Sequence, residues 1–331
     1  MVLHLHWLNK VMSGCASWVE AKMRIEAFVG GLKTLRASGY RIIWTIHNIV
    51  PHEAADPLFD AALSQEVANE VDIIHVLNKF TLEETQPYYQ IDTEKLLYCP
   101  LPAYFGVYPD HLTRNEARYS LGLGGSDFVF TLFGSIQRYK GITEFLEAID
   151  KIKARGRCLN VKVVVAGIPT DLELARELET RFAGRDDVLI VAERIDPGDV
   201  QLFLRAADCV ACPYLWSLNS TVAMLALTFG RPILVPNRGG FRELAQNLPD
   251  AAWTYPPDNP SKMAEAIEQI VCAGGNASED EIIRSLGGYT PQQVSESFFA
   301  QVRKRLDLST ARTQQALRRD FVDGRRASDG A

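Results

Sequence analysis

The residues best suited to hold an anion or a polyhydroxylated group sit in three polar turns, each between an apolar run and a helical pattern. In Gly134-Ser-Ile-Gln-Arg-Tyr-Lys-Gly141 two glycines allow close approach of backbone and ligand, and Arg138 and Lys140 can neutralise phosphate charge. The pattern is neither a Walker loop nor a dinucleotide GxGxxG turn. In the second turn, Asn219, Ser220 and Thr221 are good helix starters before the nearly all-apolar run Val222–Phe229. Free N–H groups at that helix start, at the carboxyl end of a strand, suit an anion. In the third, Asn237-Arg-Gly-Gly-Phe-Arg-Glu243, the carboxylate offers paired acceptors for ribose hydroxyls. Two have an ordinary reading beside them: a solvated turn for the first, a Glu favoured by the helix dipole for the third. Pairing the cationic turn with the helix start strengthens the phosphate reading.

A second group is histidine-rich. Five of the six His fall in the first ninety residues: His4 and His6, His47-Asn48, His52-Glu53, and His75 near Asn78. Alternation along Val2–Trp7 puts His4 and His6 on one face, with one of them packing against another layer. Singly, each reads as a hydrogen-bonded structural residue; as a set converging at strand ends they read as functional. Further polar clusters at strand ends are Glu193-Arg194 and Trp216–Thr221.

These residues need a scaffold of alternating strands and helices. Strands are expected at 2–7, 40–46, 72–77 and 95–99, with helices at 13–38, 57–71 and 81–88. In the first helix Ala16, Val19, Met23, Ala27 and Leu35 form the expected core side. A second series follows a linker near Gly122-Leu-Gly-Gly. Its strands are expected at 128–133, 161–166, 188–191, 209–212, 233–235 and 252–255, and its helices at 142–155, 172–182, 197–206, 221–229, 241–246 and 260–272. The division expected is a first domain over 1–120, a second over 121–288, a closing helix within 289–308, and a disordered tail over 309–331. Two such halves leave a cleft, where small-molecule sites concentrate.

At 331 residues, 47% hydrophobic and 23% charged, this is the composition of a globular protein of two ordinary domains. A net charge of −6 provides no global basic field, so no nucleic-acid partner is expected. Cys209 and Cys212 have CxxC spacing but lie in an apolar run without a second pair or nearby His, so a buried strand is the reading rather than zinc. No signal peptide and no apolar run long enough to span a bilayer appear, and scattered cysteines fit a reducing cytoplasm. Lys10, Lys22, Arg24, Lys33, Arg36 and Arg41, with Trp18 and Phe28 among them, suggest a surface for anionic lipid at the inner face of a plasma membrane; an ordinary amphipathic core helix is the alternative.

Together these residues resemble the GT-B glycosyltransferases, in particular the large family 4-like group of nucleotide-sugar enzymes. The Phe133-Gly-Ser-Ile-Gln-Arg-Tyr-Lys-Gly141 turn resembles that group's donor-diphosphate turn, and Gly230-Arg-Pro-Ile-Leu-Val-Pro236 with Gly239, Gly240 and Glu243 resembles its nucleoside-binding end. Leu3–Trp7, Thr45–Glu53, Arg138–Gly141 and Pro213-Tyr214 with Asn219-Ser220-Thr221 are similar to the xanthan-type exopolysaccharide β-mannosyltransferase group. The resemblance implies an α/β GT-B fold: two Rossmann-like, doubly wound parallel-sheet domains facing a cleft. A departure from it is that such enzymes carry a further strand and helix before the Leu3–Trp7 strand, so a truncated reading frame or a shortened N-terminal domain is expected. The resemblance also implies hexose transfer from GDP-mannose or a UDP-hexose to a glycan or polyprenyl-linked acceptor in bacterial polysaccharide synthesis, without cofactor or metal.

In that reading Arg138, Lys140, Gly134, Ser220 and Thr221 hold the diphosphate. Asn219, Tyr214, Arg194, Glu243, Gly239 and Gly240 hold nucleoside or sugar, and His6 and Trp7 lie on the acceptor side. Glu53 and His52 are candidate bases, and His47 contacts donor sugar or phosphate. A second departure stands out: where the retaining members carry two Glu eight positions apart, this chain has Ser217 and Leu225. Neither replaces a carboxylate, so retention by that pair is not expected; if the reaction inverts, the base is expected from the N-terminal domain. A sugar-nucleotide 2-epimerase and an inactive partner subunit remain as alternatives.

Overall fold

The computed structural model describes residues 1–50, 56–274 and 278–306. The first unit is a four-stranded parallel sheet in the order β1 (Val2–Leu5), β2 (Arg41–Ile46), β3 (Ile73–Val76), β4 (Leu96–Tyr98). Helices α1 (Trp18–Ala37), α2 (Pro57–Glu70) and α3 (Thr81–Thr85) connect its strands. Ser17 caps α1 by accepting from the Glu20 N–H, and Asp56 followed by Pro57 starts α2. Alternation divides the buried strand residues between two layers. Ile42, Trp44, Ile46 and Ile74 pack with Phe59, Leu63 and Val67 of α2, whereas Ile43, Ile73, Leu97 and Cys99 face the other way.

The face of α1 differs from expectation. Val19 and Met23 are exposed, and Ala21, Val29 and Leu32 are buried. Ala21, Ile25, Phe28, Val29 and Leu32 recur at steps of three and four, so they form the continuous stripe of a 3.6-residue period.

Helix α4 (Arg114–Ser120), held by a capping box between Thr113 and Glu116, leads into the second unit. Its elements are β5 (Phe128–Phe133), α5 (Ile142–Lys153), β6 (Val161–Ala166), α6 (Leu172–Phe182), β7 (Val188–Val191), α7 (Val200–Ala206), β8 (Cys209–Ala211), α8 (Thr221–Thr228), β9 (Ile233–Pro236), α9 (Gly239–Asn247), β10 (Ala252–Tyr255) and α10 (Pro260–Ala273). The six strands are parallel in the spatial order β7-β6-β5-β8-β9-β10. Cys209 and Cys212 are free thiols buried in this layer.

Helix α11 (Glu279–Ser285) was not expected. It starts at a second capping box, Ser278 with Glu281. Helix α12 (Pro291–Arg305) then returns to the first unit, where Val294, Phe298, Val302 and the following Leu306 cover Ile43, Ile73, Leu97 and Cys99. The tail expected to be disordered, 309–331, lies outside the described residues.

Candidate functional site

The strand order of the second sheet reverses direction between β5 and β8, so the loops leaving these neighbours diverge and open a crevice at their carboxyl ends. Gly134 leaves β5 there, and Pro213-Tyr214 leaves β8. Lys140 reaches into the crevice and donates to the Tyr214 hydroxyl at 2.7 Å, with its ammonium 4.1 Å from the ring centroid. Ser220 caps α8 by accepting from the Ala223 N–H at 3.2 Å, and its hydroxyl lies 3.5 Å from the same Tyr214 oxygen. The next residue, Thr221, is exposed at the first turn of α8.

Two glycines make this approach feasible. Gly141 has φ +68°, and a Cβ there would lie 2.0 Å from the Pro213 carbonyl. Gly134 has φ +103°, and a Cβ would come 3.3 Å from Val222. Lys140 is buried, which lowers its pKa to about 8, so the ammonium stays predominantly protonated at pH 7. Only about 10 Å³ of space remains between Gly134, Lys140 and Tyr214. Arg138 does not join this group. Its exposed guanidinium ion-pairs with Asp171, Glu173 and Glu177 at 3.3 to 3.6 Å, because its turn faces the acidic start of α6.

Opposite stands the histidine group. His6 and His47 meet at 3.0 Å between ring nitrogens, and Trp7 stacks on His47 with centroids 4.1 Å apart. His4, Thr45 and His75 form a separate chain: His4 to the Thr45 hydroxyl at 2.7 Å, that hydroxyl to His75 at 2.9 Å, and His75 to the Cys99 carbonyl at 2.9 Å. Phe298 of α12 stacks on His4, so this chain belongs to the packed face. Burial, followed by the charges of neighbouring imidazoles, lowers His47 and His4 to about 4. His47 is thus neutral at pH 7: it can exchange hydrogen bonds with hydroxyls but brings no cation to a phosphate.

His6, Trp7, His47, Asn48, Asp60 and Ser64 line a cavity of about 250 Å³, with Gln137 reaching in from the second domain. Asn48, Ile49 and Val50 are shared with a larger cavity of about 650 Å³. That cavity runs between Pro57, Glu84 and Tyr88 on one side and Trp216, Ser217 and Arg238 on the other. The candidate bases His52 and Glu53 lie outside the described residues.

Several residues expected to meet the donor instead tie the domains together. Asn219 accepts from the Asn78 side chain at 2.9 Å and donates to the His47 carbonyl at 3.2 Å. Glu243 is buried, with one carboxylate oxygen on the Lys79 N–H at 2.7 Å and the other on the Tyr98 hydroxyl. A carboxylate this buried needs such donors, and the first domain supplies them. Gly239 donates its N–H to Glu84 at 3.0 Å, whereas Gly240 bonds within its own domain, to the Leu218 carbonyl at 2.9 Å. Arg194 is exposed in the loop after β7. Asn78, Glu84 and Tyr98, which match these groups from the first domain, were not among the expected site residues except for Asn78 at its strand end. Asp60 and Gln137 were also missed; Asp60 looks like an ordinary first-turn helix acid in sequence, and only the fold shows that it is buried.

Comparison with known proteins bears on the same region. Residues 127–272 match the family described as Glycosyl transferases group 1. Spore coat protein SA of Bacillus subtilis is 25% identical over 189 residues, covering 56% of this chain and 48% of the relative. A D-inositol 3-phosphate glycosyltransferase of Rhodococcus erythropolis is 30% identical over 171 residues (50% and 38%). A GDP-mannose:glycolipid 4-beta-D-mannosyltransferase of Xanthomonas campestris pv. campestris is 24% identical over 241 residues, covering 71% of this chain and 61% of the relative. The chain thus spans less than two thirds of each of these relatives. Among solved structures, a sucrose-phosphate synthase from Thermosynechococcus elongatus superposes with a TM-score of 0.72 at 15% identity, over 93% of this chain and 74% of that one. Anabaena HepE in complex with UDP and glucose gives 0.69 at 14% identity, over 85% and 76%. Residues 127–272 are thus similar to the group 1 glycosyltransferases, and the chain shares the two-domain GT-B fold of these solved structures.

Proposed function

We propose that the protein transfers a hexose from a nucleotide sugar, GDP-mannose or a UDP-hexose, to a glycan or lipid-linked oligosaccharide acceptor. The observation that carries this reading is the meeting of Lys140 and the start of α8 at Tyr214, at the switch point of the group 1 domain. A leaving diphosphate needs a preorganised positive charge and free N–H groups, and that place supplies both. No metal is assigned a role, since Lys140 and the helix start serve that purpose. Gly134 lets the diphosphate approach, and Thr221 offers its N–H and hydroxyl. Arg138 would take part only by leaving its carboxylate partners. Arg194, Tyr214 and Gly240 belong to the donor side; Glu243, Gly239 and Asn219 could serve a nucleoside only if the domains move apart.

His6, Trp7 and neutral His47 form the sugar-facing wall opposite. The relative named as a 4-β-mannosyltransferase uses GDP-mannose on a glycolipid. An exopolysaccharide-type, lipid-linked acceptor met from the cytoplasmic side of a membrane is proposed here on that basis.

A thermal-shift panel of GDP-mannose, UDP-glucose, UDP-glucuronate and UDP-N-acetylglucosamine tests the reading. At 100 times its Kd, the true donor should add about 2.7 kcal/mol to stability. Lys140→Ala should then lower kcat by at least ~10²-fold while the chain stays folded. If none of the four shifts the transition, the transferase reading fails.

A further inference from the structure

The cavity beside His47 contains a group that neither the diphosphate site nor the histidine chain uses. Asp60 lies in the first turn of α2, whose neighbouring residues Phe59, Leu63 and Val67 are packed into the core. That anchoring fixes Asp60 and Ser64, one turn apart, at the cavity wall facing His6, His47 and Gln137. Asp60 is only 5% exposed, and its Oδ1 has no hydrogen-bond partner among the described residues. No ion pair to Asp60 occurs among them either. A buried carboxylate without a donor is costly to keep, and the fold holds this one rigidly at the edge of a polar hollow between the domains. The other polar groups around the cavity include the Ser64 hydroxyl, the Asn48 and Gln137 amides and the neutral His47 imidazole, beside the Trp7 and Trp44 rings, which suit a sugar rather than a cation.

We propose that Asp60 receives the hydroxyl of the acceptor sugar in this cavity and takes its proton during transfer. The inference rests on the transferase reading above. The acceptor O–H bond breaks with its proton passing to an Asp60 oxygen, while the acceptor oxygen bonds to the anomeric carbon. The bond from that carbon to the diphosphate breaks, and its electron pair leaves with the nucleoside diphosphate at the Lys140 side. Nothing is oxidised or reduced, and one displacement inverts the anomeric centre. Burial, with the charge of Asp56 adding to it, raises the Asp60 carboxyl to about 6. That leaves it ionised at pH 7 yet far more basic than a solvated aspartate, as a general base requires. His6 and His47 face the same cavity from the first domain and Gln137 from the second.

The test uses the full chain with GDP-mannose and UDP-glucose as donor probes and octyl β-glucoside as acceptor probe, following release of free nucleoside diphosphate. Asp60→Asn should lower kcat by ~10²- to 10⁴-fold. It should keep the donor-induced thermal shift and should not lower Tm, because a neutral amide replaces an unpaired charge. Formate should restore part of the turnover of Asp60→Ala, which a purely structural role would not allow. Asp60→Asn with kcat within about threefold of wild type, particularly beside an inactive Glu53→Gln, overturns the assignment. A product with retained anomeric configuration, or loss of activity accompanied by loss of both Tm and donor binding, also overturns it. A wild-type chain that binds neither donor and releases no nucleoside diphosphate is a different failure: it removes the transferase reading, and the role of Asp60 with it.

Discussion

His75 shows how far burial can change a side chain's chemistry. It is 8% exposed, bonded to Thr45 and Cys99, and lowered to about 4 chiefly by desolvation, with the His6 charge adding to the effect. His4, joined to it through Thr45, and His47 of the neighbouring pair are lowered to about 4 as well. Between about pH 6.5 and 4 the unfolded chain therefore takes up protons at these sites while the folded chain does not. Stability from His75 is complete above 6.5 and is lost as pH falls to 4, by about 3 kcal/mol across the window. Urea unfolding of wild type and His75→Gln at pH 7 and pH 4.5 should show a smaller acid loss in the variant. Equal losses would mean that His75 is protonated in the folded state. Asp60 works in the opposite sense, since its raised pKa favours the folded state as pH falls through about 6, so the comparison must be between variants. At this scale the sequence revealed residue types and strand-end positions, and Lys140 and Ser220 could be paired from them. It could not reveal which way a side chain turns. Arg138 and Lys140 are two residues apart, yet one faces three carboxylates of the α6 turn and the other a buried tyrosine.

Elements were far more legible, because periodicity and capping are local. β5, β6, β7 and β10 fall on their expected residues, and α6 spans 172–182 as expected. Helix α11 escaped because its apolar content is low, although its Ser278-x-x-Glu281 cap was there to read. What joins elements is less visible. Arg118 of α4 is buried and donates to the carbonyls of Ala206, Gly124 and Asp127 and to Asp208, which also accepts from Arg114 and the Val129 N–H. One carboxylate thereby fastens α4 to the start of β5. Asp208→Ala should cost about 3–5 kcal/mol, since it leaves a buried guanidinium unpaired. Chemical denaturation measures this directly, and a cost below about 1 kcal/mol would show that water or rearrangement replaces the carboxylate.

For the whole molecule, the two-domain plan was readable from alternating strands and helices, whereas the contact between domains was not. Asn219, Glu243 and Gly239 are motif residues by position, but here they fasten the second domain to Asn78, Lys79, Tyr98 and Glu84. The basic bias of the N-terminal segment is likewise tempered in three dimensions. Arg24 pairs with Glu20, Arg36 with Glu70, and Arg41 with Asp72, while Trp18, Val19 and Met23 remain exposed. No described helix is long and apolar enough to cross a membrane. Any lipid contact would then rest on those apolar side chains more than on charge. In flotation assays, Trp18→Ser/Met23→Ser should weaken binding to vesicles with and without anionic lipid alike. Unchanged flotation of the double variant removes this surface from consideration.

The return of α12 to the first sheet also has a consequence in time. Ile43, Ile73 and Leu97 have their outer cover supplied by residues made about 190 positions after β4. At ribosomal speeds of about 5–20 residues per second, one side of the first sheet stays bare for roughly 10–40 seconds while the whole second domain emerges. The domain that is synthesised first is thus the last to be finished, and during that interval its open apolar face is the part of the nascent chain most in need of a chaperone.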